Sequence, residues 1–296
     1  MGAAYLERLA RRSAAVGSVL CLGLDPEPTS LPDGFSPDLR GVEAFARLIL
    51  EAAGPYAAAV KPNLAFFEAF GAAGMAALER LRATIPDDLL VVADAKRGDI
   101  GTTAARQAVA LFDRLGADAV TASPYLGSEA IAPLLAREDR FTYVLCRTSN
   151  PGAGELQDLV VAADEPGGAP AEALWARVAR RAAGWGPGGT VGLVVGATAP
   201  LELAAIRAIA PGLAMLVPGV GAQGGEVEPV LAHGTAVGPP AGGRPGGGLL
   251  VNVSRGIAGA ASSGADDPGA RTDPGERLAE AAARWAARLP VLSSPR

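Results

Sequence analysis

Short apolar runs alternate along the chain with longer stretches of helical spacing. The runs fall at residues 19–24, 57–60, 89–95, 119–122, 141–146, 191–195, 215–217 and 249–253. They are near-continuously apolar rather than alternating, the pattern of parallel strands covered on both faces. Between them, helical spacing is read over 42–53, 66–82, 102–115, 128–137, 171–184, 201–209 and 276–289, and more weakly over 227–231. Eight strand–helix units predict one (β/α)8 TIM barrel spanning residues 1–296, with a short lead-in helix at about 3–15. A doubly wound open sheet would place a glycine-rich phosphate loop after the first strand, where this chain has Asp25-Pro26-Glu27-Pro28.

Two stretches depart from the repeat. Residues 150–170 are long and polar and read as a flexible loop. Residues 234–248 (GTAVGPPAGGRPGGG) are of low complexity and precede the eighth strand.

Composition narrows the function classes. A net charge of −5 disfavours nucleic acid as a partner. Every apolar stretch is interrupted well before the roughly 20 residues a membrane helix needs. Arg8, Arg11 and Arg12 ahead of an apolar run outline a leader, yet Glu7 sits among them and Asp25-Pro26 ends the run without a small-residue cleavage site. The segment is therefore read as a helix, and a cytoplasmic location is expected. Cys21 and Cys146 both fall in predicted strands and read as buried thiols. His233 is the only histidine and is expected at the surface of a short helix end. Its solitude excludes a Ser-His-Asp triad and argues against a histidine-based metal site.

Polar residues gather where the strands end. Asp25, Lys61, Asp94, Lys96, Ser123, Ser149, Gln223 and Arg255 all lie at or just past a predicted C-terminal strand end, the face that carries the active site of such barrels. Ser123, in Ser123-Pro124-Tyr125, is read as structural. The densest segment is Asp94-Ala95-Lys96-Arg97-Gly98-Asp99-Ile100. Strand alternation places Asp94 and Lys96 on one face, and Asp99 lands just beyond the strand. An ammonium held between two carboxylates stays protonated. It can protonate a carbanion while the carboxylates repel a substrate anion, which is decarboxylation chemistry. The same residues also fit a structural ion-pair network.

The run Asp94 to Thr103 (DAKRGDIGTT) resembles the orotidine 5'-phosphate decarboxylase signature. The likeness extends to Lys61-Pro62-Asn63, to Arg147 through Gly152 (RTSNPG, similar to the longer bacterial subgroup), to Pro218 through Gly225 (PGVGAQGG) and to Val253-Ser254-Arg255-Gly256. Taken singly, Asp25 also suits a turn, Ser149 a loop turn, and Gln223 and Arg255 solvated loop positions; the ordered set is specific. The resemblance implies that Lys96 protonates C6 of the pyrimidine, that Asp94 crowds the substrate carboxylate, and that Lys61 completes the charge array on the ribose side. It implies that Asp99, Ile100 and Thr103 serve the neighbouring subunit's site in a homodimer. Asp25 would bond a ribose hydroxyl, Ser149 the pyrimidine, and Gln223, the Ser254 backbone and Arg255 the phosphate. Lying between two of these phosphate ligands, residues 234–248 read either as a plain loop or as a mobile lid.

No motif suggests pyridoxal phosphate, thiamine or a metal as electron sink, so the expected reaction is cofactor-free and electrostatic. Two rivals remain at this point. One is a Mg2+-dependent hexulose-phosphate synthase or ketogulonate-phosphate decarboxylase, enzymes similar in their D-x-K-x-x-D motif but with an acidic residue where this chain has Lys61. The other is a non-catalytic nucleotide-binding barrel.

Overall fold

In the computed structural model of the chain, which describes residues 4–164, 168–262 and 273–292, the eight apolar runs close into a barrel. Its strands are β1 (Leu20–Leu24), β2 (Ala59–Pro62), β3 (Leu90–Arg97), β4 (Ala119–Ala122), β5 (Phe141–Arg147), β6 (Val191–Val195), β7 (Ala214–Pro218) and β8 (Leu249–Val253). Each pairs in parallel with the next, and β1 closes on β8 with Leu20 opposite Val251. The helices of eight residues or more are α1 (Tyr5–Val16), α2 (Leu39–Ala53), α3 (Gly71–Thr84), α4 (Gly101–Ala108), α5 (Leu174–Ala182), α6 (Pro200–Ile209), α7 (Val227–Gly234) and α8 (Pro274–Arg288).

Side-chain alternation along the strands separates two apolar layers. Leu20, Leu22 and Leu24 of β1 and Val91 and Ala93 of β3 point outward and pack with helix residues such as Val42, Phe45 and Ile49 of α2. Cys21, Ala59, Leu90, Val92, Ala119, Phe141, Tyr143, Leu216 and Leu250 point inward and fill the barrel. Burying one Leu or Phe is worth about 1.5–3 kcal/mol, so a one-residue slip of any strand is strongly disfavoured. α2 shows how the outer layer is made. Asp38 caps it by accepting from the Gly41 N–H at 3.0 Å, and Val42, Phe45, Ala46, Ile49, Leu50 and Ala53 form its buried stripe.

The N-terminal end of the barrel is sealed by α1. Tyr5 stacks on Phe141 with centroids 4.7 Å apart, and its hydroxyl lies 3.2 Å from that of Tyr143. Arg8 pairs with Asp118 at 2.6 Å, whose other oxygen accepts from the Val91 N–H. Residues 234–248 complete this seal, which corrects the reading as a lid. A segment that leads into a parallel strand must stand at the strand's N-terminal end, opposite the site. Ala236 and Ala241 join the interior cluster with Tyr5, Leu6 and Leu9, and the Gly246 N–H donates to the Leu292 carbonyl. Gly246, Gly247 and Gly248 have φ of 72°, 50° and 69°, which accounts for the glycine run.

Other predicted elements are shortened or divided. The helix read over 66–82 becomes a single turn (Ala65–Glu68) and α3, separated at Gly71 with φ 61°. That read over 128–137 is reduced to a 3-10 turn (Ser128–Ala130) and one helical turn (Ala132–Leu135), because Pro133 is tolerated only in the first turn. Within the stretch 150–170, residues 150–164 and 168–170 are folded rather than a plain flexible loop. Val160–Val161 pairs antiparallel with Glu172–Ala173. Arg177 of α5 holds this ribbon, donating to Glu172 and Asp164 at 2.8 Å each and to the Ala162 and Pro170 carbonyls. No helix among the described residues is long and apolar enough to cross a membrane.

Candidate active site

Two residues past the inward-facing apolar layer, the barrel lining turns polar. From Ala59 the next inward position on β2 is Lys61; likewise Val92 leads to Asp94, Ala119 to Thr121 and Leu250 to Asn252. These side chains form the floor of a cavity of about 480 Å³ at the C-terminal strand ends. Its walls come from the loops after β5, β7 and β8, including Ser149, Asn150, Gln157, Gln223, Ser254 and Arg255.

Asp94 lies between two lysines. Its Oδ2 accepts from Lys61 Nζ at 2.7 Å, and its Oδ1 accepts from Lys96 Nζ at 2.6 Å and from Thr121 Oγ1 at 2.8 Å. Lys61 is only 5% exposed, whereas the Lys96 side chain is half exposed toward the cavity mouth. Burial alone would push the Asp94 carboxyl up, but the charges and hydrogen bonds of Lys61 and Lys96 outweigh it and hold the group well below the usual carboxylate range. Burial likewise opposes the charge on Lys61, yet Asp94 and Asp25 leave its ammonium above its ordinary value.

This arrangement corrects the expectation of an ammonium between two carboxylates. Within one chain it is a carboxylate between two ammoniums. Asp99 is turned away, its Oδ1 accepting from the Ile100 N–H at 2.8 Å, and Asp99, Ile100 and Thr103 lie outside the cavity lining. Asp94 and Lys96 do face the same way, as alternation places them, but the strand that carries them is not regular. From Ala93, paired with Val120, β3 advances four residues to Arg97 while β4 advances two to Ala122. Lys96 adopts φ 49° in this bulge, and its N–H donates to Thr121 Oγ1 at 2.9 Å rather than to a strand.

The remaining residues arrive from separate elements. Asp25 follows β1; its Oδ1 and the Oδ1 of Asn252 on β8 are both buried without a hydrogen-bond partner, so this side of the cavity offers acceptors for hydroxyl donors. Ser149 Oγ donates to Gln223 Oε1 at 3.0 Å, joining the loops after β5 and β7. That approach requires glycine: a Cβ on Gly196 would lie 2.7 Å from Ser149 Cα, and one on Gly219 (φ 100°) 2.9 Å from Gln223 Oε1. Gly23 serves β8 in the same way, since its Cβ would come within 2.6 Å of Ser254 Cβ. Arg255 is exposed and lines the cavity.

Other sequence candidates lie elsewhere. Ser123 is not in the lining, and His233 is exposed on the last turn of α7. Burial pushes the Cys21 and Cys146 thiols each up to about 12, so both remain protonated at neutral pH. Among the described residues, no three His, Cys, Asp or Glu side chains gather as metal ligands. Sequence reasoning missed Asn63, Thr121, Asn150, Gln157 and Asn252 as lining residues. Thr121 and Asn252 carried a usable signal: each is a polar residue inside an apolar strand, in phase with the inward positions.

Known proteins share much of this sequence and its fold. The profile of the orotidine 5'-phosphate decarboxylase / HUMPS family matches residues 18–266. An orotidine 5'-phosphate decarboxylase of Thermomicrobium roseum is 47% identical over 255 residues, covering 86% of each chain. The structure of Leishmania donovani OMP decarboxylase superposes with a TM-score of 0.77 at 38% identity, covering 96% of this chain and 97% of that one. The structure of Leishmania donovani UMP synthase gives 0.78 at 40% identity over 97% of this chain, which spans 57% of that longer protein.

Proposed function

Because the chain belongs to the orotidine 5'-phosphate decarboxylase / HUMPS family, we propose how its site decarboxylates orotidine 5'-phosphate to UMP in pyrimidine biosynthesis: without a cofactor, and with Lys96 as proton donor. The observation that carries this reading is the hydrogen-bonded line Lys61–Asp94–Lys96 in the cavity lining, in which Lys61 and Asp94 are largely buried and Lys96 is half exposed.

The substrate carboxylate on C6 sits beside Asp94, whose ionised form is secured by the two lysines. The bond from C6 to the carboxyl carbon breaks, its electron pair stays on C6, and CO2 leaves. The Lys96 ammonium stabilises the developing carbanion and then transfers a proton from Nζ to C6, giving UMP. Enzymes lower barriers by about 8–23 kcal/mol, more than one ammonium supplies at the upper end. Binding energy from the distant phosphate, held by Gln223, the Ser254 backbone and Arg255, makes up the difference by fixing the ring and excluding water. Asp25 holds a ribose hydroxyl, and Ser149 bonds the pyrimidine.

The site works as part of a cytoplasmic homodimer in which Asp99, Ile100 and Thr103 complete the partner's cavity. Support comes from a single own-chain carboxylate beside Lys96 and from the exposed Ile100, Tyr125 and Leu126 at the ends of the adjacent strands β3 and β4. A second copy covering this face would bury that apolar surface and bring a second acid to each Lys96.

A metal-dependent variant of the chemistry would need the Asp94 oxygens as ligands, and both are already engaged by lysines. The test is turnover of orotidine 5'-phosphate, followed by loss of the orotate absorbance with and without EDTA. Turnover unaffected by chelator is expected; loss restored by Mg2+ would overturn the cofactor-free reading.

A further inference from the structure

We propose that Thr121 is a positioning residue that sets the geometry of the proton donor from the neighbouring strand. The inference rests on the reading of Lys96 as that donor and adds what holds it in place. Among the described residues, Lys96 is the only non-glycine with positive φ. A lysine disfavours that region, and the bulge that creates it removes the Lys96 N–H from the β3–β4 ladder. Thr121 answers both problems. Its Oγ1 accepts the Lys96 N–H at 2.9 Å and donates its own hydrogen to Asp94 Oδ1 at 2.8 Å. That same Oδ1 accepts Lys96 Nζ at 2.6 Å.

The result is a closed ring running from the Lys96 backbone through Thr121 and Asp94 to the Lys96 side chain. The direction of each bond is fixed. A backbone N–H can only donate, so the hydroxyl accepts there and its single hydrogen is left for the carboxylate. Thr121 is 1% exposed, so water does not replace it. A threonine in a strand can be a simple packing residue. Here, however, removing the hydroxyl would leave the Lys96 N–H without its acceptor and Asp94 Oδ1 without one of its two donors, at the two points that aim Nζ.

The test compares Thr121→Val, which keeps the shape, with Thr121→Ser, which keeps the hydroxyl, in the full chain. Measured are kcat and KM for orotidine 5'-phosphate, UMP inhibition and the melting temperature. The expected result for Thr121→Val is a fall in kcat of about ten- to hundredfold, the range for a misplaced catalytic group. KM and UMP inhibition should stay within about threefold, because the phosphate and ribose contacts are untouched. Thr121→Ser should restore kcat to within about threefold of the parent. The proposal is overturned if Thr121→Val keeps kcat within twofold, if KM and UMP inhibition deteriorate as much as kcat, or if the serine variant is as impaired as the valine. Should Thr121→Val fail to fold, Thr121→Ala takes its place under the same criteria. Lys96→Ala is run alongside. If it turns over like the parent, the underlying reading is wrong; if it is inactive while Thr121→Val is normal, only the role of Thr121 falls.

Discussion

Replacing Asp94 by Asn tests whether the charge line also holds the fold. Asp94→Asn keeps the shape and a hydrogen-bond acceptor but leaves the buried Lys61 ammonium without its partner at 2.7 Å. Breaking a buried ion pair by removing one member costs about 3–5 kcal/mol. Asp25 still attracts Lys61, which places the loss near the lower end. The pair with half-exposed Lys96 adds at most about 1 kcal/mol. A total of about 3–4 kcal/mol corresponds to a fall in melting temperature of roughly 5–6 °C for a chain of 296 residues. The assay is thermal unfolding of both proteins across a pH series. The sign of the pH effect follows from the depressed pKa of Asp94. Its stabilisation is fully present above the unfolded value of about 3.9 and is lost as pH falls toward the folded value. The gap between the proteins should therefore be complete at pH 5–7 and narrow below about pH 4. Adding Lys61→Met to Asp94→Asn should recover part of the loss, since the stranded charge is then gone. A gap below 2 °C at neutral pH, or one that widens in acid, would refute the reasoning.

Two further predictions concern the substrate and the dimer. Arg255→Ala should raise KM roughly ten- to hundredfold, the range of one lost hydrogen bond to a charged group, and steady-state kinetics with unchanged KM would remove Arg255 from the phosphate site. Mixing Asp99→Ala with Lys96→Ala protein, each inactive alone, should restore about a quarter of parental activity by pairing one intact site in each mixed dimer; no recovery when mixed dimers are demonstrably present would show that Asp99 does not act across the interface.

The barrel was legible because its strands are covered on both faces, so runs such as 89–95 stand out as continuous apolar blocks between amphipathic helices. Lys61, Asp94 and Lys96 were legible because they end such blocks and match a specific motif. The bulge at Lys96 was not: no local preference of lysine points to positive φ, and the decision lies with Thr121 on another strand. Residues 234–248 misled because composition reports only that a segment is glycine- and proline-rich. Their place before β8, rather than after a strand, fixes which end of the barrel they close. Thr121 and Asn252 were overlooked as isolated polar residues, although counting two positions from Ala119 and Leu250 leads to both.

The central claim is that the Lys96 ammonium both stabilises and protonates the C6 carbanion, and Lys96→Ala tests it most directly. General-acid catalysis contributes about 10²–10⁴-fold and electrostatic stabilisation about 10²–10³-fold, so single-turnover decarboxylation should slow by at least about 10⁴-fold. UMP binding, measured in the same samples, should stay within about tenfold because the phosphate and ribose contacts remain. Decarboxylation within tenfold of the parent rate, with UMP bound normally, would contradict the account.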